Sequence, residues 1–162
     1  MIVASDSTPL IGLATIGQFD LLRELFGEVV IAQAVFAETV TRGRDVGGAR
    51  REVLSASWVK IVAVRDRLAV EVILDELDLG EAETIVLAQE LGANLVLMDE
   101  TKGRRKLKQL QIPRIGTLGI LLQAKELGLI PAVRPMIERL RVMTFAISDR
   151  LVAEVLRTAG EL

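Results

Sequence analysis

Carboxylates are the side chains of this sequence best suited to chemistry, and two of them directly follow apolar segments. Asp6 comes after the run Ile2-Val-Ala-Ser, and Asp99 comes after Leu95-Val-Leu-Met. If both runs are strands of a parallel sheet, both aspartates emerge at its carboxyl edge, where open α/β folds bind ligands. Two converging carboxylates could hold a divalent cation there. Alternatively, each aspartate begins a turn or caps the helix that follows it.

Two glutamates, Glu81 and Glu83, compete for a place beside these aspartates. They differ by about 200° around a helix, so they cannot both face one site. Glu81 shares a stripe with Ile85 and Ala88, the inward side of the predicted helix, and this favours Glu81. Asp78 and Glu81 also fit a capping box, a structural role that can coexist with a role in a site.

The residue types that are missing exclude several kinds of chemistry. The 162 residues include no Cys, His or Tyr. The lack of Cys excludes disulfides, thiolate zinc sites and cysteine nucleophiles, and the lack of His removes the usual base of a serine triad. Four Phe and one Trp argue against a base-stacking platform. Carboxylates, hydroxyls and a hard cation such as Mg²⁺ or Mn²⁺ remain.

Strands and helices alternate in the pattern that would position these acids. Strands are predicted at 1–5, 28–32, 58–64, 94–98 and 112–115, and helices at 7–26 (interrupted near Gly17), 33–41, 49–55, 78–92, 101–110, 117–128, 135–141 and 149–160. The Gly- and Arg-rich stretch 41–48 predicts a mobile loop. This order predicts an α/β fold with a central parallel sheet of four to five strands and helices on both faces.

The same pattern predicts one domain over residues 1–162. No repeat or linker divides the chain, and we expect the helical C-terminal part, from about 117 to 162, to pack on the same core. The apolar runs are shorter than the roughly 18 residues that a membrane-spanning helix needs. The first residues lack the basic region of a signal peptide. We therefore expect a cytoplasmic protein without a membrane span.

Several segments, in their order and spacing, resemble the PIN-domain family, which includes VapC-type toxin nucleases. They are Asp6-Ser-Thr-Pro-Leu-Ile, Val35-Phe-Ala-Glu, Gly80-Glu-Ala-Glu-Thr-Ile-Val-Leu-Ala and Leu91-Gly-Ala-Asn-Leu-Val-Leu-Met-Asp-Glu. Two more, Lys102-Gly-Arg-Arg and Gly116-Thr-Leu-Gly, resemble a narrower PIN-like subfamily long described as a domain of unknown function. The resemblance implies a PIN-like three-layer α/β/α fold.

The resemblance also implies a site of four acids, Asp6, Glu38, Glu81 and Asp99, that would hold one or two Mg²⁺ or Mn²⁺ ions. Glu38 by itself reads as an ordinary surface glutamate. Many relatives carry Asp where this chain has Glu81, a difference that could reposition a metal and lower activity. Ser7 resembles the family's hydroxyl that orients metal or water, and it reads equally well as a helix-start residue.

The function implied is a metal-dependent endoribonuclease that cuts single-stranded RNA to leave a 3′ hydroxyl. The resemblance further suggests the toxin of a toxin–antitoxin pair, a small antitoxin protein as partner and a homodimer. One alternative is a PIN-fold module that binds RNA or protein with little or no turnover. The other is a phosphatase of the haloacid dehalogenase type, in which a second Asp usually stands where this chain has Thr8.

A basic run beyond Asp99 offers a place for RNA phosphates. Its helical spacing puts Lys102, Arg105 and Lys106 on one face, and Arg104 and Lys108 on another. We expect the first face to bind RNA, since phosphate contacts position a strand without reading its sequence. The alternative is a solvated helix surface. The formal net charge of −2 gives little support for a general nucleic-acid coat protein.

Overall fold

Five strands and ten α-helices form the part of the chain that the computed structural model describes, residues 1–41, 46–143 and 145–162. The strands are β1 (Val3–Ser5), β2 (Val29–Ala32), β3 (Val59–Val62), β4 (Leu95–Leu97) and β5 (Arg114–Ile115). The helices are α1 (Ser7–Thr15), α2 (Leu21–Phe26), α3 (Gln33–Phe36), α4 (Ala49–Ser55), α5 (Arg67–Ile73), α6 (Leu79–Leu91), α7 (Thr101–Gln109), α8 (Thr117–Glu126), α9 (Arg134–Met143) and α10 (Asp149–Thr158).

All five strands form one parallel sheet in the order β3-β2-β1-β4-β5. Buried apolar side chains and parallel pairing go together, because crossover helices cover both faces of such a sheet. The chain moves outward in one direction from β1 to β3 and in the other from β4 to β5. The order therefore reverses between β1 and β4, which makes their carboxyl ends the switch point of the sheet. The predicted parallel sheet is confirmed.

Helices pack on the sheet in two groups. Helix α6 contacts β1, β2 and β4 and packs against α3, α5 and α7, whereas α1 contacts α4, α8 and α9. The fold is thus the three-layer α/β/α arrangement expected of a PIN-like domain. The C-terminal helices contribute buried side chains to the same hydrophobic cluster as the sheet, among them Ile120, Ile137, Leu140, Val155 and Leu156.

The structure differs from the predicted elements at two places. Helix α5 falls between predicted elements; its short apolar and β-branched sequence gave no helical signal, and the Asp66 side chain caps it by accepting a hydrogen bond from the Ala69 N–H. The predicted helix 33–41 is divided into α3 and a π-helical turn, Ala37–Thr41. Of the predicted loop 41–48, residues 42–45 lie outside the described residues, and Val46–Gly48 is a 3₁₀ turn. Within the described chain, no helix has the length and apolar character to cross a membrane.

Ile31 and Ile61 are register partners on β2 and β3 that differ in burial, and they provide a test of the sheet order. Ile31 is fully buried, whereas Ile61 on the edge strand is 49% exposed. We expect Ile31→Ala to lower the free energy of unfolding by about 2–5 kcal/mol and Ile61→Ala by less than about 1 kcal/mol. Urea denaturation of the two variants measures the difference; equal losses would contradict the edge position of β3.

Candidate active site

Asp6 and Asp99 follow neighbouring strands at the switch point of the sheet. Strands β1 and β4 pair in register from Val3↔Leu95 to Ser5↔Leu97, and the Asp6 N–H extends the ladder by donating to the Leu97 carbonyl at 3.0 Å. Both aspartates therefore leave the sheet at the same edge, as their positions after apolar strands predicted. Whether they act in a metal site stays a prediction at this point.

The Asp6 carboxylate is buried and lacks part of its hydrogen bonding. The residue is 3% exposed, and its Oδ1 has no hydrogen-bond partner among the described residues. Burial, together with the charges of Glu81, Glu38 and Asp78, raises the pKa of Asp6 from 3.8 to about 8, against the lowering effect of the hydrogen bond from the Ser7 N–H. A buried carboxylate oxygen without a donor is costly, which makes Oδ1 the atom best placed to bind a cation.

Glu38 lies in the π-helical turn and contacts both α1 and α6. Its Oε2 accepts a hydrogen bond of 2.7 Å from the Ser7 hydroxyl. Its carboxylate also lies so close to Gly80 that a Cβ at that position would overlap it. Extra residues of π geometry inside a helix occur often at functional sites. Its sequence context alone predicts a surface residue, whereas the resemblance implies a site residue. The structure places Glu38 half-buried beside Asp6.

Glu81 lies in the first turn of α6 as part of a capping box. Its Oε1 accepts from the Asp78 N–H at 2.9 Å, and its own N–H donates to Asp78 Oδ1 at 2.8 Å. The predicted cap is confirmed, and the side chain also lies near Asp6. Burial, together with the charges of Asp78 and Glu100, raises the pKa of Glu81 to about 7, against the lowering effect of the hydrogen bond from the Asp78 N–H. The structural and electrostatic roles therefore coexist in one residue.

Glu83 is buried as well, which the helical phase did not predict. Its Oε1 accepts from the Ala34 N–H at 2.9 Å, and its Oε2 pairs with Arg67 Nη1 at 2.8 Å. Helices α3 and α5 both pack against α6 and cover the side of α6 on which Glu83 lies. The different positions of Glu81 and Glu83 around the helix therefore give them different partners, although both are buried.

The carboxylate of Asp99 binds to the start of α8. Its Oδ1 accepts from the Thr117 N–H at 2.8 Å and its Oδ2 from the Thr117 hydroxyl at 2.6 Å. A Cβ at Gly116 would lie 2.7 Å from Asp99 Oδ1, so this approach requires glycine. The site predicted from the sequence does not include Thr117. The residue nevertheless belongs to the segment 116–119, which contributes to the resemblance.

The four predicted acids therefore form two subsets. Asp6 interacts electrostatically with Glu38 and Glu81, whereas Asp99 is held by Thr117. In the described part of the chain, no three acidic side chains are arranged to hold a metal ion as they stand. The strand ends bring the acids to one edge, and local hydrogen bonds decide where each carboxylate points.

A family model described as PIN domain matches residues 2–161. The chain belongs to the PIN-domain family. No curated protein and no solved structure matches this chain. PIN domains are generally nucleases and typically use divalent metal ions, so the nuclease-type fold is established for nearly the whole sequence.

The chemistry of this PIN domain's acids fits such a cation. Carboxylate oxygens and a hydroxyl are the ligands that Mg²⁺ and Mn²⁺ prefer. The partnerless Oδ1 of Asp6 supplies a free ligand atom, and each carboxylate oxygen that accepts one hydrogen bond keeps a second lone pair. Asp6, Glu38, Glu81 and Asp99 are thus a suitable donor set in chemical type.

The basic run lies on α7, with one side chain directed back to the site. Lys102 and Arg105 are exposed, and half-buried Lys106 lines a cavity of about 210 Å³ that also contains Asp75 and Glu76. Arg104, which sequence reasoning placed on the other face, donates from Nη1 to the Met98 carbonyl at 3.0 Å. RNA binding by Lys102, Arg105 and Lys106 stays a prediction.

The raised pKa of Asp6 makes the stability of the metal-free protein depend on pH. From about pH 4 to 8, the folded state holds a proton at Asp6 that the unfolded chain has lost. The free energy of unfolding therefore falls as pH rises, by at most about 1.4 kcal/mol per pH unit. We expect Asp6→Asn to stabilise the protein at pH 8 in EDTA by about 1–3 kcal/mol and less at pH 5.

Thermal unfolding of both proteins across this range measures the effect. Exposed Asp20 provides the matched control, because Asp20→Asn removes a carboxylate that lies at the surface. A stabilisation of Asp6→Asn that does not change with pH would contradict the raised pKa.

Proposed function

We propose that this PIN domain is a metal-dependent endoribonuclease acting on single-stranded RNA. The observation that carries the proposal is the buried, partnerless Oδ1 of Asp6 at the switch point, beside Glu38 and Glu81. In its ionised form, a carboxylate placed in this way is costly unless a cation binds it. The family match over residues 2–161 supports this function over the phosphatase alternative.

The chain's own groups would divide the work as follows. Asp6, Glu38, Glu81 and Asp99 would hold one or two Mg²⁺ or Mn²⁺ ions. Ser7 orients Glu38 through its hydroxyl, and Thr117 orients Asp99 with two hydrogen bonds. When bound, a divalent cation lowers the pKa of a water molecule and offsets negative charge on the phosphate.

The capping box adds a constraint on Glu81. Because Oε1 accepts from the Asp78 N–H, the position of this carboxylate is fixed to the first turn of α6. The longer side chain of Glu, where many relatives carry Asp, is thereby folded back toward the helix. The lone pairs of the Glu81 carboxylate that accept no hydrogen bond would remain available to a metal ion.

The biological setting is proposed from the resemblance. The chain would be the cytoplasmic toxin of a toxin–antitoxin pair, bound by a small antitoxin protein and active as a homodimer. Apolar side chains exposed on α5 and α9, among them Leu68, Val72, Val142 and Met143, offer surface for protein partners.

A second candidate function is a PIN-fold module that binds RNA or protein without turnover. The observation that favours it is the present arrangement of the acids: Asp99 is satisfied by Thr117, and no three acids of the described chain form a ready metal site. Cleavage and cation binding, measured separately, distinguish the two functions.

Asp6→Asn and Asp99→Asn test the proposed nuclease. We expect each to lower cleavage of a single-stranded RNA in Mn²⁺ by at least about 100-fold, because each removes a ligand charge. Mn²⁺ should raise the melting temperature of the wild-type protein and have little effect on Asp6→Asn. Asp20→Asn serves as the control for both measurements.

The outcomes separate the candidates. Wild-type cleavage rates in Asp6→Asn or Asp99→Asn would refute the proposed site. A wild-type protein that gains stability from Mn²⁺ but cuts no RNA would favour the binding module.

Glu81→Gln and Glu83→Gln form a matched pair on α6. Glu81→Gln keeps an oxygen for the Asp78 N–H, so we expect cleavage to fall at least about tenfold with little loss of stability. Glu83→Gln loses the charge that pairs with Arg67, whose side chain is 54% exposed, so we expect a loss of about 1 kcal/mol in unfolding free energy and near-normal kcat. Steady-state kinetics and urea denaturation provide the comparison; a larger loss of kcat in Glu83→Gln would transfer the role to that residue.

A further inference from the structure

A groove opens next to Asp99 and is lined by β5, the strand that lies across β4 from β1. It encloses about 390 Å³, within the range of roughly 300–1,000 Å³ typical of ligand pockets. Asp99 lines it, together with residues of α7, β5, α8 and α10. The side chains that define it, called the arginine groove below, are Arg104, Arg114, Leu118, Leu122, Leu151 and Val155.

Arg104 brings positive charge to the carboxyl end of β4. Its Nη1 donates to the Met98 carbonyl, which fixes the guanidinium one residue from Asp99 along the chain. A Cβ at Gly116 would lie 2.7 Å from Asp99 Oδ1 and 3.4 Å from Arg104 Nη1, so the acid and the arginine meet over this glycine. The space that Gly116 leaves open is therefore bordered by both charges.

Arg114 adds a second guanidinium from β5, the edge strand of the sheet. The side chain is half-buried in the groove wall. None of the ion pairs found among residues 1–41, 46–143 and 145–162 includes Arg104 or Arg114. Each guanidinium has five N–H donors, and the Met98 carbonyl uses one of those of Arg104. Both arginines thus keep donors for an anion.

The rest of the groove is apolar. Leu118 and Leu122 come from α8, and Leu151, which is 42% exposed, comes from α10. Two arginines beside an apolar floor match the chemistry of one nucleotide, which has an anionic phosphodiester and a flat base with little charge. Only an unpaired base can leave its stack to cover such a floor, so the strand would be single.

We infer that the arginine groove binds one nucleotide of single-stranded RNA adjacent to the scissile phosphate. Arg104 and Arg114 contact its phosphodiester, and the leucines cover its base. The inference rests on the proposed nuclease function, because the groove is defined relative to Asp99. It assigns the RNA path to the Arg104 side of α7 rather than to the face of Lys102, Arg105 and Lys106.

Charge favours this side of α7. Lys106, on the other face, lines a cavity with Asp75 and Glu76, whose carboxylates repel phosphate. Among the described residues that line the arginine groove, Asp99 is the only acid, and its carboxylate already accepts two hydrogen bonds from Thr117.

Binding of a fluorescein-labelled single-stranded RNA of ten nucleotides, in EDTA so that no cation-dependent cleavage occurs, tests the inference. We expect Arg114→Ala to raise Kd about fivefold to tenfold and the double variant Arg104→Ala with Arg114→Ala to raise it further. The slope of log Kd against log salt concentration should fall by about 0.7 for each phosphate contact removed. Leu151→Asp should also weaken binding, since it places a negative charge on the floor.

Two further variants provide the controls. Lys60→Ala removes an exposed charge from β3, at the opposite edge of the sheet from β5, and should leave Kd within about twofold of the wild type. Arg105→Ala with Lys106→Ala removes two charges from the opposite face and should change Kd less than the groove variants do. Melting temperatures establish that each variant is folded.

The results separate this inference from the proposed function. Unchanged Kd and salt dependence in the folded Arg114→Ala and double variants would overturn the inference, even if the wild-type protein cleaves RNA. A larger loss in the Arg105→Ala, Lys106→Ala protein would overturn it too. Specific weakening in the groove variants, together with no cleavage by the wild-type protein in Mg²⁺ or Mn²⁺, would refute the nuclease and keep the groove as an RNA site.

Discussion

Burying a carboxylate removes its hydration, and at Asp6 the protein does so next to Glu38 and Glu81. Both effects act in the same direction, because low exposure and neighbouring negative charge each favour the protonated acid. Parallel pairing of β1 with β4 fixes the backbone position of Asp6, because its N–H donates to the Leu97 carbonyl. The metal-free fold therefore carries an electrostatic cost at the switch point of its sheet. A divalent cation is the ligand that would offset this cost.

The surroundings of Asp6 allow several elements to approach one another closely. Gly80 leaves the volume that the Glu38 carboxylate occupies, and Ser7 provides a donor to the same carboxylate from the first turn of α1. The capping box fixes Glu81 at the start of α6. These contacts join α1, the π-helical turn and α6 around the end of β1. Changes at any of them would move an acid as well as alter packing.

Asp99 occupies a different position, between the acids and the arginine groove. Thr117 holds its two oxygens, and Gly116 keeps open the space that it shares with Arg104. Asp99 thus belongs to the predicted set of acids and also lines the groove that contains Arg104 and Arg114. A phosphodiester strand in the arginine groove would reach the acids through Asp99, which gives the proposed chemistry and the proposed strand path a common point.

The layout of the sheet's edge can be predicted from the amino-acid sequence alone. Apolar runs ending in Asp6 and Asp99, with helices between strands, required a parallel sheet with both acids at one edge, because parallel strands point the same way. The spacing of Asp78 and Glu81 fixed the helix cap. The hydrogen-bond partners of each carboxylate, in contrast, follow from the packing of the folded chain. Burial of Glu83 under α3 and α5 and the hydrogen bonds from Thr117 to Asp99 depend on contacts between separate elements of the chain, which helical periodicity does not encode.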